Sequence, residues 1–165
     1  MSLSAISETG QYLTFKLKGE IFALDISKVR EVLDFTTITK VPQTPDFMLG
    51  VINLRGGAVP VVDMRLKFGM AATEMTVNTS IIIAEIEIDG EKVVLGALVD
   101  SVQEVIDLDP DQIEPPPRIG TRLKTKFIRG MGRRDDQFVI LLDIDKIFSF
   151  DDLAVAQELG LEAAS

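Results

Sequence analysis

Near the start of the chain, apolar and polar residues alternate with a period of two. Leu13, Phe15 and Leu17 lie on one face and Thr14, Lys16 and Lys18 on the other, which predicts a half-buried strand. Gly19-Glu20 turns the chain, and Phe22, Leu24 and Ile26 form the apolar face of a returning strand. Ser27 to Asp34 fits two periods: Val29, Val32 and Leu33 suit a short helix, whereas Val29, Glu31 and Leu33 suit a strand face. Thr36 to Asp46 carries Pro42 and Pro45 and reads as loop. Val51 to Leu54 and Ala58 to Val62 are predicted strands around the turn Arg55-Gly56-Gly57, and Asp63 is placed to cap a short helix through Lys67, closed by Gly69. Met70 to Thr79 is mixed and polar, a connector. Beyond it, Ile82 to Ile88 and Lys92 to Val99 flank the hairpin signal Asp89-Gly90. Asp109 to Pro117, rich in proline, reads as loop; Phe138 to Leu142 is a strand and Asp143 a second helix cap. Ser149-Phe150-Asp151-Asp152 resembles a capping box, with Phe148 and Leu153 as its hydrophobic staple. A last helix is predicted from about Phe150 to Leu159, before a frayed tail.

The pattern occurs twice. Gly50 to Phe68 aligns without a gap on Gly130 to Phe148, matching Gly50 with Gly130, Val59 with Val139, Asp63 with Asp143 and Phe68 with Phe148. Upstream, V-R-E-V-L-D at Val29 to Asp34 returns as V-Q-E-V-I-D at Val102 to Asp107. A unit used twice implies two lobes and a seam between them. The expected lobes are residues 11–69 and 80–148 of one domain spanning 11–150, with a C-terminal helix and tail over 150–165. Many short strands predict an all-β, two-barrel architecture, with a single sandwich as the alternative. Units of about 60 to 70 residues are marginal alone, so the lobes should share apolar surface.

Composition narrows the function. With 46% hydrophobic residues over 165 positions the chain can bury a core. No apolar run reaches the length of a membrane span, and Met1 to Gly10 lacks a signal-peptide pattern. The absence of cysteine fits the cytoplasm. A net charge of −9 disfavours binding to nucleic acid or anionic membrane. Arg118 to Arg134 departs from this, holding Arg118, Arg122, Lys124, Lys126, Arg129, Arg133 and Arg134 without an acid. The bland reading is a solvated, mobile loop; a patch for an acidic protein partner is the sharper one, and nucleic acid ranks third.

Catalytic chemistry finds little support. Without histidine there is no Ser-His-Asp triad and no imidazole metal site. Gly130-Met131-Gly132 lacks the third glycine of a dinucleotide loop. Asp107, Asp109, Asp111 and Glu114 start like a calcium loop but include Pro110 and miss its spacing. Glu31 and Glu104 could meet across the seam as paired carboxylates, the one route left to an enzyme, a carboxylate-only hydrolase for example.

The segment Gly50-Val51-Ile52-Asn53-Leu54-Arg55-Gly56, followed by Val59-Pro60-Val61-Val62-Asp63-Met64-Arg65, resembles the signature of the CheW family of bacterial chemotaxis adaptors. Tyr12 to Leu17, Leu24-Asp25-Ile26, Thr44-Pro45-Asp46-Phe47, Gly96 to Asp100, Ile113 to Pro117 and Ile140 to Ile147 extend the resemblance over about residues 11 to 150. It implies two five-stranded β-barrels on a shared apolar layer, with no enzymatic activity and no cofactor. It implies coupling of a chemoreceptor's cytoplasmic tip (that of a methyl-accepting chemotaxis protein) to the histidine kinase CheA, through the kinase's regulatory domain, in the cytoplasm at membrane receptor arrays. The receptor tip would lie in a groove between the barrels. By matching position, Val29, Glu31, Arg55, Gly56, Ile81, Gly96, Val102 and Val105 would line or support that groove, with Arg55 and Glu31 as its orienting ion pair. Gln43, Phe47, Met48 and Gly50 fall on the surface expected to meet the kinase. An adaptor of a related two-component pathway remains open, as does a ligand-binding β-barrel or enzyme that uses its carboxylates.

Overall fold

The computed structural model describes residues 9–88, 90–116 and 127–147. In chain order they form β1 (Gly10–Leu17), β2 (Glu20–Asp25), a 3-10 turn (Ile26–Lys28), β3 (Val29–Asp34), β4 (Met48–Leu54), β5 (Gly57–Asp63) and α1 (Met64–Lys67). The second half supplies β6 (Ser80–Ile88), β7 (Glu91–Val99), β8 (Ser101–Leu108), a 3-10 turn (Pro110–Gln112), β9 (Ile113–Glu114), β10 (Ile128–Arg134), β11 (Gln137–Leu142) and α2 (Ile144–Ile147). The helix predicted after Phe150 and its staple lie outside the described residues. Asp63 caps α1 as expected, its carboxylate accepting from the Arg65 N–H at 3.0 Å.

The strands form two mixed sheets, ordered β8-β1-β2-β11-β10-β9 and β3-β6-β7-β5-β4. Neighbours are antiparallel except β2–β11 and β5–β7, which are parallel. These sheets do not follow the halves of the chain. The hairpin β1–β2 lies in the sheet of β8–β11, and the hairpin β6–β7 lies in the sheet of β3–β5. The expected division into 11–69 and 80–148 therefore misassigns both hairpins, and chain connectivity gives the reason. In the observed arrangement β6 is antiparallel to both β7 and β3. If β1 and β2 stayed with β3 in the same pattern, β2 and β3 would run parallel. Only Ile26–Lys28 separate them. Three residues span about 10 Å, whereas a return along a six-residue strand needs about 20 Å. β3 must therefore enter the other sheet. The same holds for β7 and β8, separated by Asp100 alone.

Seen this way, the two sheets are equivalent by the internal repeat, with β1, β2, β3, β4, β5 and α1 corresponding to β6, β7, β8, β10, β11 and α2. Even the irregularities match. A bulge between Met48 and Gly50 corresponds to one between Ile128 and Gly130. The Asp63 N–H to Phe47 carbonyl bond, 2.8 Å, corresponds to Asp143 to Phe127, also 2.8 Å. One sheet has six strands and not the expected five because Ile113–Glu114 form a short strand on β10. Its counterpart is the isolated bridge Thr39–Val51. Neither sheet closes through backbone hydrogen bonds, so closed five-stranded barrels are not what the described strands form.

Alternation along each strand feeds two apolar layers. Leu13, Phe15, Phe22 and Leu24 of one sheet meet Ile82, Ala84, Leu95 and Ala97 of the other in a shared layer, with Met64, Phe68, Ile144 and Ile147 at its ends. Phe15, Phe22, Phe68 and Phe127 run through it with ring centroids 6.0, 6.0 and 6.4 Å apart. The opposite faces line separate lobe interiors: Tyr12, Ala23, Ile106, Val139 and Leu141 in one, Ile52, Val59, Val61, Ile81, Ile83 and Leu98 in the other. Burial is the main cause that raises the Tyr12 phenol above its ordinary pKa; Arg129 opposes it, and the Asp25 charge adds the smallest contribution to the rise.

Two substitutions test this packing. Phe22→Ala, at the centre of the ring stack, should cost about 3–5 kcal/mol in urea unfolding. At Gly50, φ is +148° and an added Cβ would overlap the Thr39 carbonyl oxygen. At Gly130 the nearest obstacle is the movable Ile113 Cγ2, 2.7 Å from the added Cβ. Gly50→Ala should therefore destabilise by about 3 kcal/mol or more, and clearly exceed Gly130→Ala.

Candidate functional site

β3 and β8 are edge strands of their sheets and occupy equivalent places. Each carries a register shift, between Val29 and Glu31 in β3 and opposite the Leu13 to Phe15 stretch of β1 in β8. In a regular strand, residues three apart point to opposite faces. The extra residue of each bulge brings them to one face instead. Val29 is paired with Ala84 and Val32 with Ile82; Val102 is paired with Phe15 and Val105 with Leu13. All four partners belong to the shared layer, so the four valines edge that layer from both lobes. Val29 and Val102 are half-buried against it, while Val32 and Val105 are 42% and 47% exposed. Val32 was not among the sequence candidates. Its correspondence with Val105 in the V-R-E-V-L-D echo was the available signal.

Glu31 lies on the other face of β3, opposite Ile83, whose side chain lines a lobe interior. It accepts from Arg55 Nη1 at 2.7 Å and Nη2 at 3.0 Å. Arg55 sits at the β4–β5 turn with φ +52°, followed by Gly56 at φ +84°, the paired left-handed conformation of a tight hairpin. Those hydrogen bonds, and then the Glu31 charge, hold the guanidinium pKa above its ordinary value. Since β3 and β4 are the two edges of their sheet, this bidentate pair joins the edges that backbone bonding leaves open. The other lobe repeats the device: Glu104 on β8 pairs with Arg134 at the end of β10. The two carboxylates thus do not meet across the seam. Each takes an arginine from its own sheet, and the pair expected of a hydrolase does not form. The Arg55–Glu31 pair lies on the face of β3 opposite to Val29 and Val32.

The remaining candidates divide by burial. Ile81 and Gly96 are wholly buried, and a Cβ on Gly96 would meet Ile81 Cγ2 at 2.8 Å. They support the lobe interior and reach no surface. Met48 and Gly50, expected on the kinase-facing surface, are buried in the lone chain. Gln43 is exposed with φ +61°, and Phe47 is half-buried beneath Lys67, whose Nζ lies 4.4 Å from the ring centroid. Within the basic segment, Arg118, Arg122, Lys124 and Lys126 are outside the described residues. Arg129, Arg133 and Arg134 are not on a solvated loop: they project from β10 and pair with Asp25 (3.3 Å), Glu114 (3.4 Å) and Glu104. No cluster of possible metal ligands occurs among the described residues, and none of their helices is long and apolar enough to cross a membrane.

Duplicated, hairpin-exchanged sheets with exposed valines on their edge strands define a two-lobed β scaffold. Comparison with known proteins identifies which scaffold. A CheW-like domain matches residues 11–152. The chain is 36% identical over 150 residues to the chemotaxis protein CheW of Klebsiella aerogenes, covering 91% of this chain and 88% of that protein. It is 33% identical over 140 residues to CheW of Thermotoga maritima, covering 83% and 86%. The crystal structure of the scaffolding protein TtCheW from Thermoanaerobacter tengcongensis superposes with a TM-score of 0.76 at 38% identity, over 87% of this chain and 94% of that one. The chain belongs to the CheW family and is a non-enzymatic scaffold of chemotaxis signalling.

Because the Arg55 side chain is 73% exposed, its ion pair should add little to global stability. Glu31→Gln should leave the thermal midpoint within a few degrees of the parent, while amide exchange at the ends of β3 and β4 speeds up.

Proposed function

We propose that this chain couples the cytoplasmic tips of chemoreceptors to the regulatory domain of the histidine kinase CheA, in the cytoplasm and recruited to membrane receptor arrays. The observation that carries this reading is the four-valine edge. Val29 and Val32 from one lobe, with Val102 and Val105 from the other, border one apolar layer and remain partly uncovered. An amphipathic helical hairpin could lay its apolar face along such an edge, using a few anchoring side chains inside a polar rim. Arg30, Glu85, Gln103 and Glu104 supply polar groups on the neighbouring positions. In each sheet an arginine–glutamate pair ties the edge strand, β3 or β8, to the far side of its own sheet and keeps it in place. For the kinase, the exposed Gln43 and the Phe47–Lys67 stack are the remaining surface candidates.

Val32→Asp and Val105→Asp should each weaken binding of a receptor cytoplasmic fragment on the order of tenfold or more, without unfolding, since both positions are already substantially exposed. Arg55→Ala should weaken it less, because it acts by freeing β3. Co-sedimentation with receptor fragment and CheA, followed by an assay of kinase activation, measures all three. Parent-like binding by both aspartate variants would remove the valine edge from the receptor contact.

A further inference from the structure

The chain crosses between its lobes where β2 passes into β3 and where β7 passes into β8. A charged side chain stands at each crossover, and each is gripped by the short helix that follows the last hairpin of a lobe. At the second crossover the Asp100 carboxylate accepts from Arg65 Nε at 2.7 Å and from Arg65 Nη2, a bidentate pair with α1 of the β3–β7 lobe. The same carboxylate accepts from the Lys18 N–H at 2.8 Å, in the β1–β2 turn of the opposite lobe. At the first crossover Lys28 Nζ meets Asp145 Oδ2 of α2 at 2.7 Å. Asp145 Oδ1 also accepts from the Glu87 N–H of β6 at 2.9 Å, again in the opposite lobe.

The two arrangements are equivalent in place and reversed in sign. In one the carboxylate is on the crossover and the cation on the helix; in the other these roles are exchanged. In both, one carboxylate takes a cationic side chain and a backbone N–H, and together these contacts join the helix of one lobe to a strand or turn of the other. All four side chains are at most one-third exposed, unlike Arg55. Val29 follows Lys28 directly, and Val102 follows Asp100 by two residues. We propose that Arg65–Asp100 and Lys28–Asp145 are clasps that set the angle between the lobes and so position the valine edge for its partner. They are positioning residues: they touch no partner and act through the strands whose first turns they anchor. The part of this inference that concerns a partner rests on the receptor-binding reading above; the part that concerns the lobes does not.

The chain lacks cysteine, so a label pair can be introduced cleanly. Asp34 and Asp107, exposed and equivalent on β3 and β8, each become cysteine and carry a spin label, and the distance distribution is measured by electron–electron double resonance. Lys28→Met and Arg65→Met should broaden that distribution while circular dichroism remains that of the parent. Lys28→Arg, which keeps the charge, should restore most of the narrow distribution. Binding of a receptor cytoplasmic fragment should fall by roughly three- to tenfold in the methionine variants and recover in Lys28→Arg. Lys28→Met keeps the test alive if Arg65→Met fails to fold. Distributions of parent width in a folded Lys28→Met would overturn the proposal whatever the binding does. Broadened distributions with unchanged binding would overturn the positioning of the edge. Should the parent itself ignore the receptor fragment, the receptor reading falls, and the distance distributions still decide whether the clasps hold the lobes.

Discussion

A chain cannot run back along a strand in three residues. That limit, applied at Ile26–Lys28 and again at Asp100, organises the whole molecule. It sends each N-terminal hairpin of the duplicated unit into the lobe completed by the other unit. Each lobe is then built from both copies, and neither can form without the other. The shared apolar layer follows, because every strand of the exchanged hairpins must satisfy two faces. Phe15 and Phe22 reach the layer from one sheet, while Tyr12 and Ala23 on the same strands fill a lobe interior. Folding is thereby a property of the pair of copies, which suits units that are marginal in isolation.

Ionic contacts take over where backbone bonding stops. The open edges of the β3–β4 sheet are tied by Glu31 and Arg55; in the other sheet Glu104 of the edge strand β8 pairs with Arg134 of β10, the strand next to the edge strand β9. A sheet closed by side chains leaves its edge strands with free backbone groups and tolerates small movements of one edge against the other. A ladder of hydrogen bonds would permit neither.

Much of this was legible in the residues, and the misses have a common cause. Most strand positions, the Asp63 cap and the duplication were readable because they depend on local periods and on identities such as Asp63 with Asp143. The ambiguity over Ser27 to Asp34 came from the bulge itself. By bringing Val29 and Val32 to one face, it gives a strand the three-residue spacing of a helix. The exchange of hairpins was missed because periodicity reports which residues are buried, not against which copy. Met48 was expected on a surface and is buried, for the same reason: an apolar residue near a motif reads alike whether it faces a partner or its own core. Charged partners were the least legible of all. Arg129, Arg133 and Arg134 looked like a run of solvated charge until the β10 register set each beside an acid.

Duplication supplies two equivalent edges, and the differences between them matter for an adaptor. Beside Val29 and Val32 stands Arg30, held near Glu85; the corresponding neighbour of Val102 and Val105 is the neutral Gln103. One lobe gained β9 along β10, where the other has only the Thr39–Val51 bridge over Gly50. The short segment packed on each equivalent glycine therefore differs in length and in freedom. A symmetric molecule would offer a partner two indistinguishable ways to dock. On the proposed reading of the valine edge, matched valines with unmatched surrounding charges would favour one orientation of a partner, because the reversed placement would set its charges against the wrong neighbours.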